Sequence, residues 1–535
     1  MPMQFWEEVD LRMKADPPPH LPMDRLILAG VVSAFLALYL RSRRQRRIPY
    51  PPGPRKLPLL GNLLNMPTRL EWETYARWGK EFNSDVIHLQ AAGRDLVVLN
   101  SMESAVELFD KKSSIYSSRP QFTMVNELMG WNWILPMMAY GERWKERRRL
   151  FQKHFSSRNA HVYQATQVEF VRKTIPRLLD HPDEFLPMIR HMAGGISISL
   201  AYGLDVKGQE DPFVDLSERA VQSAVDAAIP GAFLVDLIPW LKYVPEWVPG
   251  ARFQKTARLL RQLQEEFRNA PYNEAVKNLS SDRHNVKPSF VSGTLGDLEE
   301  KGEVERQKDV IKDTAGAVFA AGTDTTVATL QVFFVAMLYY PDVQRKAQEE
   351  LDRLLGGRRL PEFKDEESLP YVSAVVKELL RWQPVGPLGI PHYTSEDDVY
   401  KGYFIPKGSI VVSNIWAMLQ DEHHYPDPSK FKPERFLGEN GQLDPKVRDP
   451  GDIAFGFGRR TCPGSHIATS ILWLTVATIL STFNISEALD EHGLPISPSV
   501  EYHSGLVYHP LPFRCTIRAR SPAAEQLLRF AADAS

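Results

Sequence analysis

The chain has 535 residues, 43% of them hydrophobic and 24% charged, with a formal net charge of −2. That balance suits a folded body with a large core, and it excludes nucleic acid as the main partner, since no basic stripe with interleaved aromatics accompanies it. Two cysteines cannot build a disulfide framework, and no CxxC, HExxH or histidine cluster has the spacing of a zinc site.

Residues 26–40 (LILAGVVSAFLALYL) are an uncharged apolar run, about 22 Å long as a helix. That is short for a bilayer, but residues 21–23 and the snorkelling side chains of Arg25 and Arg41 extend it. Residues 1–25 hold five acidic and three basic side chains, whereas 41–47 hold five arginines and no acid. The asymmetry puts everything after residue 40 in the cytosol, and it reverses the charge order of a cleaved signal peptide. Residues 26–40 therefore read as an uncleaved, single-pass signal anchor with a lumenal tail at 1–25; the alternative is a buried core helix. A basic and proline-rich hinge at 41–60 follows, containing IPYPPGP, a stiff polyproline-type stretch. The body is expected at 61–520, with a short tail at 521–535.

Alternating runs at 86–89 and 96–99 predict strands. Helical patterns dominate from about Ser101 to Arg381, and strand-like pieces return at 394–412 and 506–517. The expected fold class is mainly α with a minor β-sheet region, in a single large domain. Residues 287–302 are polar and contain glycine, which predicts a surface loop. Residues 230–249 (PGAFLVDLIPWLKYVPEWVP) are apolar and punctuated by proline. They either dip into a bilayer or pack as an interhelical loop.

Four constellations stand out along the body. Trp144 and Arg148 lie at i,i+4, so indole and guanidinium share a helix face and both can donate hydrogen bonds. A helical pattern over 304–340 ends at Pro341 and contains Ala321-Gly322-Thr323-Asp324-Thr325-Thr326. Glycine inside a helix costs about 1 kcal/mol, so it needs a reason. Thr325 can bond back to the Ala321 carbonyl, opening the ladder and leaving a groove beside Gly322. Asp324 points about 100° away from Thr325, so the two would cooperate through water. Glu378-Leu379-Leu380-Arg381 puts a carboxylate and a guanidinium on one helix face at i,i+3, and Pro433-Glu434-Arg435-Phe436 follows some 50 residues later. His392 lies between them, after Pro391.

The most informative residue is Cys462, in Phe455-Gly456-Phe457-Gly458-Arg459-Arg460-Thr461-Cys462-Pro463-Gly464, ahead of an apolar helical run at 466–483. A thiolate at a helix N-terminus is stabilised by the dipole and by free N–H groups, and it suits a soft metal centre. The string fits F-x-x-G-x-R-x-C-x-G, and here the chain resembles the cytochrome P-450 family of haem-thiolate monooxygenases, microsomal type. The other constellations follow in that family's order, from the anchor to Arg514.

The resemblance implies haem b (iron protoporphyrin IX) with Cys462 as its axial thiolate. Gly458 and Gly464 would let the backbone pass close to sulfur and porphyrin, and Phe455 would shield the sulfur from water. Arg460, Trp144 and Arg148 would hold propionates; His392 would be a further propionate partner or a structural histidine. Thr325 would hydrogen-bond bound dioxygen, and Asp324 would link the site to bulk protons. Glu378, Arg381 and Arg435 would form a buried triad that retains haem. Residues 122–133, Val318, Phe319, 387–390 and 505–507 would line an apolar pocket. The implied reaction inserts one atom of dioxygen into a lipophilic substrate, by hydroxylation or epoxidation. No glycine-rich dinucleotide turn follows a strand, so the electrons would come from NADPH through a separate NADPH–cytochrome P-450 reductase, with cytochrome b5 as a further partner. Lys145, Arg147, Arg149 and Arg459 are its docking patch or an ordinary solvated face. Residues 382–385 and 387–389 look like those of fungal members active in secondary metabolism or on xenobiotics. The location implied is the endoplasmic reticulum membrane. Two rivals are a haem-thiolate isomerase or dehydratase, which tends to lose the acid–alcohol pair kept here as Asp324-Thr325, and a non-catalytic haem-binding protein.

Overall fold

The computed structural model describes residues 48–533, apart from 59, 92, 207, 209–210, 230–231, 283–285 and 499. The expected lumenal tail, anchor and arginine run at 1–47 lie outside the described residues. Residues 48–50 and 399–404 form a small unit by themselves, in which the Phe404 N–H donates to the Pro49 carbonyl at 2.7 Å. Everything below concerns the large unit.

Twelve helices of eight residues or more are present among the described residues: α1 (Glu71–Glu81), α2 (Glu142–His154), α3 (Ala160–Thr174), α4 (Phe185–Tyr202), α5 (Pro212–Ala227), α6 (Arg252–Ser281), α7 (Phe290–Glu299), α8 (Val304–Tyr339), α9 (Pro341–Leu355), α10 (Pro370–Trp382), α11 (Ser465–Thr482) and α12 (Pro522–Asp533). Strands are short: β1 (Val86–Ala91), β2 (Arg94–Leu99), β3 (His392–Tyr393), β4 (Ile410–Ser413), β5 (Phe483–Glu487), β6 (Tyr502–His503), β7 (His509–Pro510) and β8 (Cys515–Ala519). One four-stranded sheet has the order β1-β2-β4-β3, with β2 and β4 parallel in register Leu96↔Ile410 to Leu99↔Ser413. Two antiparallel pairs, β5 with β8 and β6 with β7, lie outside that sheet. The expected mainly helical class with small sheets is what the chain adopts.

Helix α8 threads the core. From Asp313 to Leu338 every residue is buried except Ala321, Gly322, Asp324 and Thr325. A stripe that polar, in the middle of a helix otherwise wrapped by apolar side chains, marks the face turned to chemistry rather than to packing. Proline at the first position starts both α9 and α10, where its missing N–H is no loss.

Two expectations change here. Residues 290–299 are helical rather than loop: Ser289 caps the helix in a reciprocal box with Ser292, and Phe290, Val291, Thr294, Leu295 and Leu298 form its buried stripe. Serine in place of the usual glutamate at the third position, and two interior glycines, hid that periodicity. Helix α8 also runs unbroken through Gly322, so Thr325 does not open the ladder. Gly322 has another reason: a Cβ there would lie 2.6 Å from Ser197 Oγ on α4, so glycine allows two helices to approach.

Candidate active site

Cys462 lies just ahead of α11. Its N–H donates to the Phe455 carbonyl at 2.8 Å, closing the loop on itself. Gly456 and Gly458 both take positive φ, +77° and +61°, which spares a Cβ the left-handed strain. At Gly458 a Cβ would also come within 2.1 Å of the Phe109 carbonyl oxygen. The close approach is therefore to the Val106–Lys111 turn. At Gly464 a Cβ would meet only Phe151, at 3.8 Å. Cys462 is accessible, yet burial pushes its thiol pKa up, against the Gly464 N–H and the Arg148 charge, which pull it down. Accessible and desolvated together mean that the sulfur faces an internal space. The other cysteine, Cys515, is buried in β8.

Around this loop gather four cationic or titratable groups from distant parts of the chain. Arg460 is buried; its Nε donates to the Ser117 carbonyl at 2.7 Å and its Nη2 to the Met138 carbonyl at 2.8 Å. Its guanidinium lies over the Trp144 ring, 4.4 Å from the centroid. Arg148 Nη1 donates to the Thr461 carbonyl at 2.8 Å, the peptide just before Cys462. His392 is buried, bonded through Nδ1 to the Tyr116 carbonyl at 2.7 Å and stacked on Phe109 at 3.8 Å. The fourth member, Arg119, was not singled out in the sequence. It is buried, and its Nε and Nη1 donate to the carbonyls of Pro136, Ile390 and Pro391.

The electrostatics of this cluster are unusual. Burial and then Arg148 push the Arg460 pKa down to about 9. Arg119 falls well below the usual arginine range through burial and then Arg460. His392 falls well below the usual histidine value through burial and then Arg119. Among the described residues no Asp or Glu pairs with Arg119, Arg148 or Arg460, and Arg460 Nη1 is buried with no partner at all. Buried like charges without a counter-charge are costly, so the set fits an anionic group arriving with a ligand. The two carboxylates of a haem meet that requirement, with Cys462 available to its iron.

On α8, Thr325 is exposed and its Oγ1 donates to the Ala321 carbonyl at 2.8 Å. Asp324 accepts from Arg190 Nη1 of α4 at 3.3 Å, and the same Arg190 reaches Glu218 at 3.4 Å. Thus Asp324 joins a charged chain that leads away from α8 toward α5. Phe319, expected to line the pocket, is instead enclosed between Phe267 and Tyr202.

Glu378, Arg381 and Arg435 are brought together. Glu378 Oε2 accepts from Arg381 Nε at 2.7 Å; its Oε1 accepts from Arg381 Nη2 at 2.9 Å, Arg435 Nε at 3.1 Å and the Lys432 N–H at 2.8 Å. Glu378 and Arg381 are fully buried. Four donors on one carboxylate satisfy its lone pairs, the condition under which a buried ion pair is tolerated.

Residues 51–517 match the family model for cytochrome P-450, and the chain belongs to that family. It is 46% identical over 503 residues to the cytochrome P-450 monooxygenase ple1 of Rhodocybe pseudopiperita, covering 94% of this chain and 96% of that one. It is 40% identical over 499 residues to the tryptamine 4-monooxygenase of Psilocybe cyanescens, covering 93% and 98%. Against the cytochrome P-450 monooxygenase 98 of Postia placenta it is 42% identical over 506 residues, covering 94% and 96%. The chain is accordingly a haem-thiolate monooxygenase, an oxidoreductase that uses molecular oxygen.

Proposed function

We propose that this enzyme hydroxylates or epoxidises a lipophilic substrate at haem b held by Cys462, at the endoplasmic reticulum membrane, with NADPH electrons delivered by a separate reductase. The observation that carries the reading is the cluster of Arg119, Arg148, Arg460 and His392 beside the one accessible cysteine. When bound, haem supplies the activation of dioxygen and the transfer of one oxygen atom. The chain's own residues do the rest. Cys462 contributes electron density through its sulfur, and the Gly464 N–H and Arg148 temper its basicity. Arg119, Arg148, Arg460 and Trp144 neutralise and orient the propionates, with His392 supporting that edge. Thr325 offers a hydroxyl on an open helix face, and Asp324, held by Arg190, passes protons taken from surface water toward that hydroxyl through water. Glu378, Arg381 and Arg435 hold the segment that follows α10 against the cysteine side.

Membrane attachment is supported by residues 234–247, where Leu234, Trp240, Tyr243 and Trp247 are exposed, Trp247 to 81%, while Val235 and Asp236 are tied inward. Of the two sequence readings, bilayer contact fits exposed indoles better than a packed loop does. The reductase, with cytochrome b5 as auxiliary donor, is proposed to dock on the basic face that includes Lys145, Arg149 and Arg459; Arg147, expected in the same patch, is buried against Asp313 instead.

Purified full-length enzyme in vesicles, with NADPH and an added reductase, tests the reading. A panel of terpenes, steroids, fatty acids and aromatics should include tryptamine, which one relative's name carries. Reductase-dependent product that falls as salt rises is expected. Turnover of a peroxide substrate without reductase, and none with it, would instead favour an isomerase or dehydratase.

A further inference from the structure

We propose that Asp313 is a positioning residue, which clamps α2 and α6 onto α8 and so sets the attitude of Arg148 and Trp144 at the cationic edge of the site. Its carboxylate is buried, 1% exposed, and is shared by two arginines from different helices. Arg147 of α2 donates from Nε to Oδ2 at 2.8 Å and approaches the same oxygen through Nη2 at 2.7 Å. Arg268 of α6 donates from Nε to Oδ1 at 2.8 Å, with Nη2 at 2.6 Å. Each guanidinium therefore presents two nitrogens to one oxygen, an arrangement that fixes direction as well as distance.

The clamp bears on the site because Arg147 and Arg148 are consecutive on α2 and point about 100° apart. Arg147 reaches back to α8, while Arg148 reaches forward to the Thr461 carbonyl beside Cys462. Trp144, beneath the Arg460 guanidinium, is on the same short helix. Asp313 thus fixes the helix carrying the propionate donors against the helix carrying Thr325. The second arginine extends the clamp. Arg268 lies over the Trp133 ring at 5.6 Å, and Trp133 Nε1 donates to Gln264 Oε1 at 2.5 Å. The same indole fits a notch at Gly316, where a Cβ would come within 2.8 Å of it. Stability alone does not demand this device, since apolar residues of equal volume commonly do as well as a buried ion triad.

The inference rests on the haem-edge reading of α2, so its test reads the helix and the haem separately. In full-length holoenzyme, Asp313→Asn should speed amide exchange over residues 142–154 and release haem to an apomyoglobin trap about tenfold faster. Gln344→Leu serves as a control for destabilisation, because Gln344 is buried on α9 and bonds the Ile485 backbone of β5, outside every group assigned to haem. At equal loss of Tm it should leave haem release near the parental rate. Arg268→Gln should loosen residues 131–133 and α6 while α2 stays protected. If Asp313→Asn does not accumulate, Arg147→Lys keeps the charge, loses the two-nitrogen grip and should shift both readouts in the same direction. Haem loss that tracks Tm alike in the Asp313 and Gln344 variants, or unchanged exchange in α2, overturns the clamp. Faster exchange in α2 with unchanged haem release overturns the haem-edge reading instead.

Discussion

Arg119 and Arg460 pay, in the protein alone, for a partner that only a ligand brings. Removing one of them should have effects of opposite sign. Arg119→Leu should stabilise the apoprotein, because a buried unpaired cation is gone, and should weaken haem retention about tenfold or more. Thermal unfolding of the apoprotein and haem transfer from the holoprotein check the two halves; a loss in both would make Arg119 an ordinary structural residue. Thr325→Ala belongs to the same scale. With the hydroxyl gone from the open face of α8, haem should stay bound while reducing equivalents drain into hydrogen peroxide. Product formed per NADPH at the parental ratio would remove Thr325 from the mechanism. Cys462, Arg460 and Thr325 were readable because each sits in a contiguous string whose spacing has a chemical reason. Arg119 was not, since its hydrogen bonds go to backbone carbonyls and its charged neighbours lie about 30 to 340 residues away along the chain.

Among the elements, the segments that brace the cysteine side respond to single atoms. Glu378→Ala strands two buried guanidiniums, an effect of about 3–5 kcal/mol, and should yield mostly haem-free protein. Full haem occupancy in that variant would contradict the bracing role. Gly458→Ala should also be severe, because the added methyl meets the Phe109 carbonyl and the backbone is left-handed there, together on the order of 2–4 kcal/mol. Element existence followed from periodicity where the apolar stripe was long, as in α8 and α11. It failed at α7, whose stripe is short and whose cap is a pair of serines. The reason for Gly322 was equally hidden, for nothing local in the sequence says that Ser197 will lie against it.

At the scale of the whole molecule, the two apolar helices long enough to cross a membrane among the described residues, α8 and α11, are mostly buried core helices, so the proposed bilayer contact would rest on the exposed aromatic segment at 234–247 and on the proposed anchor. Replacing Trp240 and Trp247 together by serine in an anchor-deleted enzyme should lower vesicle binding severalfold without changing haem content. Binding at the parental level would assign the segment to protein contacts.

The account depends most on one bond, from the Cys462 sulfur to haem iron. Its most direct test is the reduced, carbon monoxide-treated difference spectrum of the parent enzyme and of Cys462→Ser. The parent should give the long-wavelength band of a thiolate-bound haem, and the variant should lose it while the fold persists. A band of histidine-ligated haem in the parent, or a thiolate band surviving in Cys462→Ser, would contradict the account.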